Sequence, residues 1–497
     1  MKPLHTLGLL FLVSAPLLSR LPASPPPWFL AVDAAPTDDT LRTALRAVAK
    51  AQDLWAKDAL WPETSKYPVP VALRVDDQTA YLIGHPKPPP GMKKASEAKG
   101  ALKWTGHSLP PAATSVEVNG TPTAVVPLDM VAGHSEAEAV GLVAHEMFHA
   151  LQAIRGFGAA ENIMLLPEYP ELDPRNNALG RVEGELLADA LHLDGGVDSG
   201  VSADQPGSRE WDGAINFLAV RKLRRQSLSS SLQEYERLVE AHEGVPQLIQ
   251  MLAPPLIDLG TNPARTDLPF ALRTLCEGGR GTNRRRFYTS GAALSLLLSR
   301  INPEWKRQHM KGRALEDLLA EAIKFDPATA SAKAESLVKN PHFEQLLAEE
   351  TAAAEAERKR RQARLEALKR EAPRLLVLDL GGQAVQRYFD PMNVTQAGDG
   401  VTIHERFLQL QGDGWSLRVT GVPVIEETKA QRYTIPITEL GAMTMGGVTI
   451  ERPQPSQPLT HITDLKFTAP GIELIMKSAL LDSTGDGKTT RLQIPLR

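Results

Sequence analysis

Two histidines four residues apart, His145 and His149, flank Glu146 in the run His145-Glu146-Met147-Phe148-His149. On a helix, positions i and i+4 share a face, so both imidazoles can reach a single Zn²⁺. Glu146 points beside that face, where a carboxylate can take a proton from a metal-bound water. The chemistry this spacing offers is metal-assisted hydrolysis. The local sequence also supplies the helix. Ser135 followed by Glu138 is a capping box, and Val140, Val143, Met147 and Leu151 give a buried stripe.

A catalytic zinc needs a third protein ligand and an open position. The run Arg181-Val-Glu183-Gly-Glu185-Leu-Leu-Ala-Asp189 is a second helical segment with candidate carboxylates. Glu185 and Asp189 share a face, so Glu185 can bind the metal while Asp189 accepts the spare N–H of a ligating imidazole. The chain has one cysteine, Cys276, so a cysteine-rich zinc module and an internal disulfide are both excluded.

The pairing of His145, Glu146 and His149 with Glu185 and Asp189 on a following helix resembles the zincin metallopeptidases, in their glutamate-ligand (gluzincin) branch. The resemblance covers about residues 115–195 and implies one Zn²⁺, a protein or peptide substrate, and hydrolysis by a metal-activated water. It also implies that Thr121 to Val126 is the edge strand that aligns substrate. Glu183-Gly184 matches the E-G ligand pattern of other gluzincins, which leaves Glu183 open as the alternative ligand. Arg286 to Ala292 looks like a segment that follows the metal helices in exported H-E-x-x-H proteins of bacteria. Tyr288 within it can donate to a developing oxyanion, or can simply be a core tyrosine.

The elements that must position these groups follow from patterning. The fold class expected is α+β. Residues 35–200 form a zincin-like unit of a small sheet with active-site helices, and residues 201–372 a helical extension. Residues 373–497 form an all-β domain of short alternating strands, whose number and turns point to a sandwich. Asn119-Gly120 marks a hairpin, and Phe343 to Glu371 a long solvated helix ended by Pro373. Residues 1–34, with Lys2, an apolar run from Leu7 to Leu18 and small residues at Val32-Asp33-Ala34, form a signal peptide. Export follows, with an N-terminal anchor as the lesser alternative and no stable membrane insertion once the signal is removed.

Net charge is −4, which gives no electrostatic reason to expect nucleic acid as a partner. Arg284-Arg285-Arg286 and Arg358 to Arg361 accordingly read as solvated faces. His242-Glu243 and His404-Glu405 start like the zinc motif, but Pro246 and Leu408 stand at the second histidine's position, so neither is a zinc helix. Asp482 to Gly487 lacks the terminal acid of a calcium loop. His107 and His134 read as loop or surface histidines, and Cys276 as an inert buried thiol. The competing functional classes are a non-catalytic exported binding protein on the same scaffold, and a zinc hydrolase of a non-peptide bond.

Overall fold

The computed structural model describes residues 38–96, 98, 100–193, 201–257, 283–437, 442–445, 448–450, 460–483 and 488–494. The expected signal segment and Cys276 lie outside the described residues. The chain combines helices and sheets, with a separate C-terminal sheet region, as an α+β composition requires.

Six strands make the first sheet: β1 (Val71–Arg74), β2 (Thr79–Ile83), β3 (Lys93–Lys94), β4 (Ala101–Thr105), β5 (Thr114–Val118) and β6 (Thr121–Pro127). Their order is β3-β4-β2-β1-β6-β5, and only β1 and β6 run parallel. Asn119 and Gly120 both take positive φ, 44° and 77°, so the turn between β5 and β6 is tight. That turn corrects one expectation. It folds β5 along Thr121 to Val125 of β6, from Thr114↔Val125 to Val118↔Thr121, while β1 pairs with the other side of β6, so β6 is an interior strand and the sheet edge is β5.

The helices begin with α1 (Asp38–Ala56) and α2 (Glu136–Arg155). Ser135 caps α2 with the reciprocal Glu138 bond, and Gly156 ends it in the left-handed region at φ 67°. This helix is buried nearly all round, including His145 and Glu146, each 5% exposed. Then follow α3 (Pro174–Ala190), α4 (Arg209–Arg225), α5 (Ser230–Val239), a π turn (Glu240–Gly244) and α6 (Val245–Ile257). Gly141 of α2 lies so close to α6 that a Cβ there would meet the Gln250 carbonyl oxygen at 2.5 Å. The two backbones therefore touch one turn before His145.

Next come α7 (Asn283–Ile301), α8 (Trp305–His309), α9 (Leu315–Ala322), α10 (Pro327–Val338) and α11 (Pro341–Glu371). The long helix expected over Phe343 to Glu371 is present as α11 and is exposed over most of its residues, but one side of it is buried. Phe343, Leu346, Ala354, Leu365 and Leu368 form a buried stripe along it, and Arg361 is 3% exposed. Arg361 pairs with Glu171 and Glu357, and Arg358 donates to the Leu172 carbonyl, so part of this basic run braces the fold.

The C-terminal strands are β7 (Arg374–Asp379), β8 (Gln386–Phe389), β9 (Val394–Gly398), β10 (Val401–His404), β11 (Phe407–Gly412), β12 (Trp415–Thr420), β13 (Val424–Glu427), β14 (Arg432–Ile437), β15 (Ala442–Met445), β16 (Val448–Ile450), β17 (Thr460–Ala469), β18 (Ile472–Ser483) and β19 (Thr489–Gln493). Strand β18 pairs with β12, β17 and β19, so the sheet forks there. Leu410, Leu417, Leu376, Ile435 and Leu474, from both arms of the fork, meet in one apolar core. Gln396 of β9 donates to the Tyr169 carbonyl at 3.2 Å, which ties this region to the loop before α3.

One buried histidine lets the core be tested by pH. His309 sits among Trp61, Trp305 and Phe157, with its ring 5.6 Å from that of Phe157, and is 1% exposed. Its Nδ1–H donates to the Arg313 carbonyl at 2.9 Å, while burial pushes its pKa down to about 4. The folded chain thus binds this proton less readily than the unfolded chain does. Stability is fully present above the unfolded value of about 6.5 and is lost as pH falls from there towards 4, by about 3 kcal/mol in all. Between pH 7 and 4.5, the wild type should lose about 2–3 kcal/mol more than His309→Asn, which keeps a donor but cannot titrate. Urea titrations at the two pH values measure the difference, and parallel slopes would refute it.

Candidate metal-binding site

His145 and His149 project from α2 with their Nε2 atoms 3.1 Å apart. The third group to reach them is Glu243, whose Oε2 lies 3.6 Å from His145 Nε2 and 3.3 Å from His149 Nε2. Glu243 is 6% exposed. It belongs to the π turn between α5 and α6, a widened turn of the kind that proteins place at functional positions.

Three features hold that turn. Arg221 of α4 grips Glu240 with two bonds of 2.7 and 2.8 Å, and Ser290 of α7 donates to the same carboxylate. Gly244 meets Gly291 of α7 so closely that a Cβ on Gly244 would lie 2.4 Å from the Gly291 Cα. Glycine is needed at this crossing because any side chain would drive the two elements apart. Gln152, one turn after His149, completes the support. Its Nε2 donates to the His242 carbonyl at 3.1 Å, which turns its Oε1 toward His149 Nδ1 at 2.8 Å. Gln152 therefore fixes one His149 proton on Nδ1 and aims Nε2 at the cluster, the nitrogen that would bind a metal on giving up its own proton, a support common in metal-ligating histidines.

Charge is concentrated in this small volume. Burial, the largest influence on Glu146, raises its pKa to about 8; His149 opposes the rise and Glu243 adds to it. One Glu146 oxygen, Oε2, is buried and has no hydrogen-bond partner. Burial also lowers His145 to about 4. For His149 burial is outweighed by the charge of Glu243, and its pKa rises to about 9. Glu243 itself stays well below the usual carboxylate range: burial opposes this, but Arg284 and His149 overcome it.

The donor set fits a metal ion. Two imidazole nitrogens and a carboxylate oxygen lie 3.1, 3.3 and 3.6 Å apart. A tetrahedron with bonds of about 2.0–2.1 Å has edges of about 3.3 Å, so a cation among these atoms needs little rearrangement. It would also take the place of the extra proton by which His149 and its neighbours now share the space.

The carboxylates expected on α3 lie elsewhere, which is a correction. Glu185 accepts from His342 of α11 at 2.9 Å, and Asp189 pairs with Arg209 at 2.6 Å on a half-exposed surface. Glu183 is 4% exposed, but it faces α4, where Arg221 and Arg224 take its charge. The physical reason is packing: α2 turns its histidines toward the π turn, and α3 directs its acids at α4 and α11. None of the three belongs to a potential metal group among the described residues.

Tyr288 does reach the site. Its ring stacks against His145 with centroids 6.3 Å apart, and its hydroxyl accepts from Arg284 Nη1 at 2.6 Å. Burial holds its pKa well above the ordinary phenol value. Arg284 and Arg286 are buried in ion pairs, so these two are not the solvated residues that the basic run suggested. His107 accepts from the Leu109 amide, and His134 lies 3.8 Å from Glu138, both apart from the cluster.

Sequence reasoning missed Glu243, and with it Gln152, Glu161, His242 and Arg284. A signal for Glu243 existed. Glu243-Gly244 is an E-G pair just as Glu183-Gly184 is, but testing His242-Glu243 only for a second histidine discards it. Comparisons with protein-family models, curated proteins and solved structures find no match to this chain.

Proposed function

We propose that this protein is an exported zinc-dependent metallopeptidase of the zincin type, with His145, His149 and Glu243 as the protein ligands. The observation that carries the reading is the convergence of those three donor atoms, with Glu146 buried near enough for the charges of His149 and Glu243 to act on it. A zinc ion held there would polarise a carbonyl and lower the pKa of a bound water.

The chain's own residues then have definable tasks. Glu146, held within the apolar body of α2, takes up a proton on Oε2 and returns it to the leaving amine nitrogen. Tyr288 accepts from Arg284 and gives its O–H to the Glu243 carboxylate, so it could serve an oxygen on which charge develops only by releasing Glu243 to a metal. Glu146 also favours an enzyme over a binding scaffold, because a buried acid without a partner lowers stability and gives a scaffold nothing in return. Among the described residues no helix is long and apolar enough to cross a membrane. Export rests on the apolar N-terminal run of the sequence.

The test joins metal content to activity. Purified protein should carry about one equivalent of zinc and should hydrolyse casein. A chelator should abolish hydrolysis and added zinc should restore it. Zinc below a tenth of an equivalent after supplementation would overturn the reading.

A further inference from the structure

A second group of donors stands next to the first and shares Glu243 with it. Glu161, His242 and Glu243 each offer one ligand atom, and these atoms all lie within 4.8 Å of one another. Glu161 is 9% exposed, and its Oε2 is buried without a hydrogen-bond partner. The Nδ1–H of His242 donates to the Gly158 carbonyl at 2.8 Å, so its Nε2 carries a lone pair. Its ring lies 4.7 Å from that of His149, which links the two groups. Two carboxylates and an imidazole lone pair gathered in one place require a cation.

Arg284 supplies one. Its Nη2 donates to Glu161 Oε1 at 2.6 Å and to Glu243 Oε1 at 2.5 Å, and its side chain is 10% exposed. A guanidinium has only donors in a fixed plane. It satisfies one oxygen of each carboxylate and leaves Glu161 Oε2 unpaired. A carboxylate shared by two cation positions, with an imidazole on each side, is the arrangement of a two-metal centre.

We propose that Glu161, His242 and Glu243 form a second cation position, a divalent-metal ligand set whose place the Arg284 guanidinium takes. The centre therefore binds one metal ion with a ligand set sufficient for two. This rests on the metallopeptidase reading for the first position only. Arg284 has a further task that a metal ion would not perform, since its Nη1 also donates to Tyr288. Charge explains why one ion suffices: the fixed guanidinium offsets one carboxylate, so only one divalent cation is needed for the rest of the cluster.

The experiment is zinc stoichiometry by equilibrium dialysis of the full chain, with melting temperature in the presence and absence of zinc. Wild type should bind one equivalent. Arg284→Met removes the guanidinium at similar volume and should bind two, with a larger zinc-dependent rise in melting temperature than wild type shows. Arg284→Met combined with Glu161→Gln removes both the cation and one ligand, and should return to one equivalent. One equivalent or fewer in Arg284→Met overturns the proposal. So does a variant that stays unfolded in excess zinc, because a second ion should replace the lost charge pairing. Two equivalents in wild type overturn it as well. Zero equivalents in wild type would instead overturn the metallopeptidase reading, which keeps the two failures distinct.

Discussion

Glu243→Gln should leave a folded protein that has lost its metal, with affinity reduced by more than about 100-fold, because it removes a direct ligand rather than a supporting contact. The substitution keeps the shape of the side chain and a carbonyl oxygen near His145 and His149, but it removes the negative charge. Arg284 retains Glu161 as an anionic partner, so the π turn should hold its place. The comparison that gives the result its meaning uses α3. Glu185→Gln should keep one equivalent, since that carboxylate faces His342. Glu183→Gln should lose stability instead of metal. Its carboxylate is buried against Arg221 and Arg224, and breaking a buried ion pair by removing one partner costs about 3–5 kcal/mol. Metal analysis and melting curves of the three variants read both quantities. Retention of zinc by Glu243→Gln, with loss in Glu185→Gln or Glu183→Gln, would return the ligand to α3.

The contrast between Glu243 and Glu185 shows where a sequence is readable. Local rules suffice for α2. Its cap, its apolar stripe and the shared face of His145 and His149 all follow from spacings of three and four residues, and the structure has each of them. The Asn119-Gly120 turn is likewise local. Which carboxylate meets the two histidines is a different kind of fact. It depends on which helix packs against α2 and on how that helix begins. Glu243 arrives 94 positions after His149 because a π turn rotates it inward and a glycine pair admits the crossing. A search limited to the next helix, with regular α periodicity, finds Glu185 and stops.

The same limit applies to the buried arginines. Arg221, Arg224, Arg225 and Arg361 look like surface residues when read singly, because most arginines are exposed. In the structure each is less than a tenth exposed and is paired with glutamates distant in sequence. Composition gives their number but not their partners. The network they form reaches the candidate site through Arg221 and Glu240, so the π turn that presents Glu243 rests on a polar core and not on apolar packing alone.

Glu146→Gln should produce a folded, zinc-loaded and inactive protein. The glutamate is not among the three converging donors, so metal content should stay near one equivalent. The amide is nearly isosteric, and the carboxyl it replaces has no hydrogen-bond partner on Oε2, so packing in α2 is preserved. What is lost is the group that accepts and returns a proton. Such a group contributes about 10²–10⁴ in rate. Hydrolysis of casein should fall by at least that factor, while zinc content and fold are unchanged. Stability has a sign of its own here. A carboxyl raised to about 8 in the metal-free fold lowers stability as pH rises above its unfolded value of about 4.5, so the metal-free glutamine variant should melt higher than metal-free wild type at pH 7. A structural role for Glu146 predicts the opposite, a lower melting temperature together with the lost activity. Full activity in the variant would remove Glu146 from the chemistry altogether.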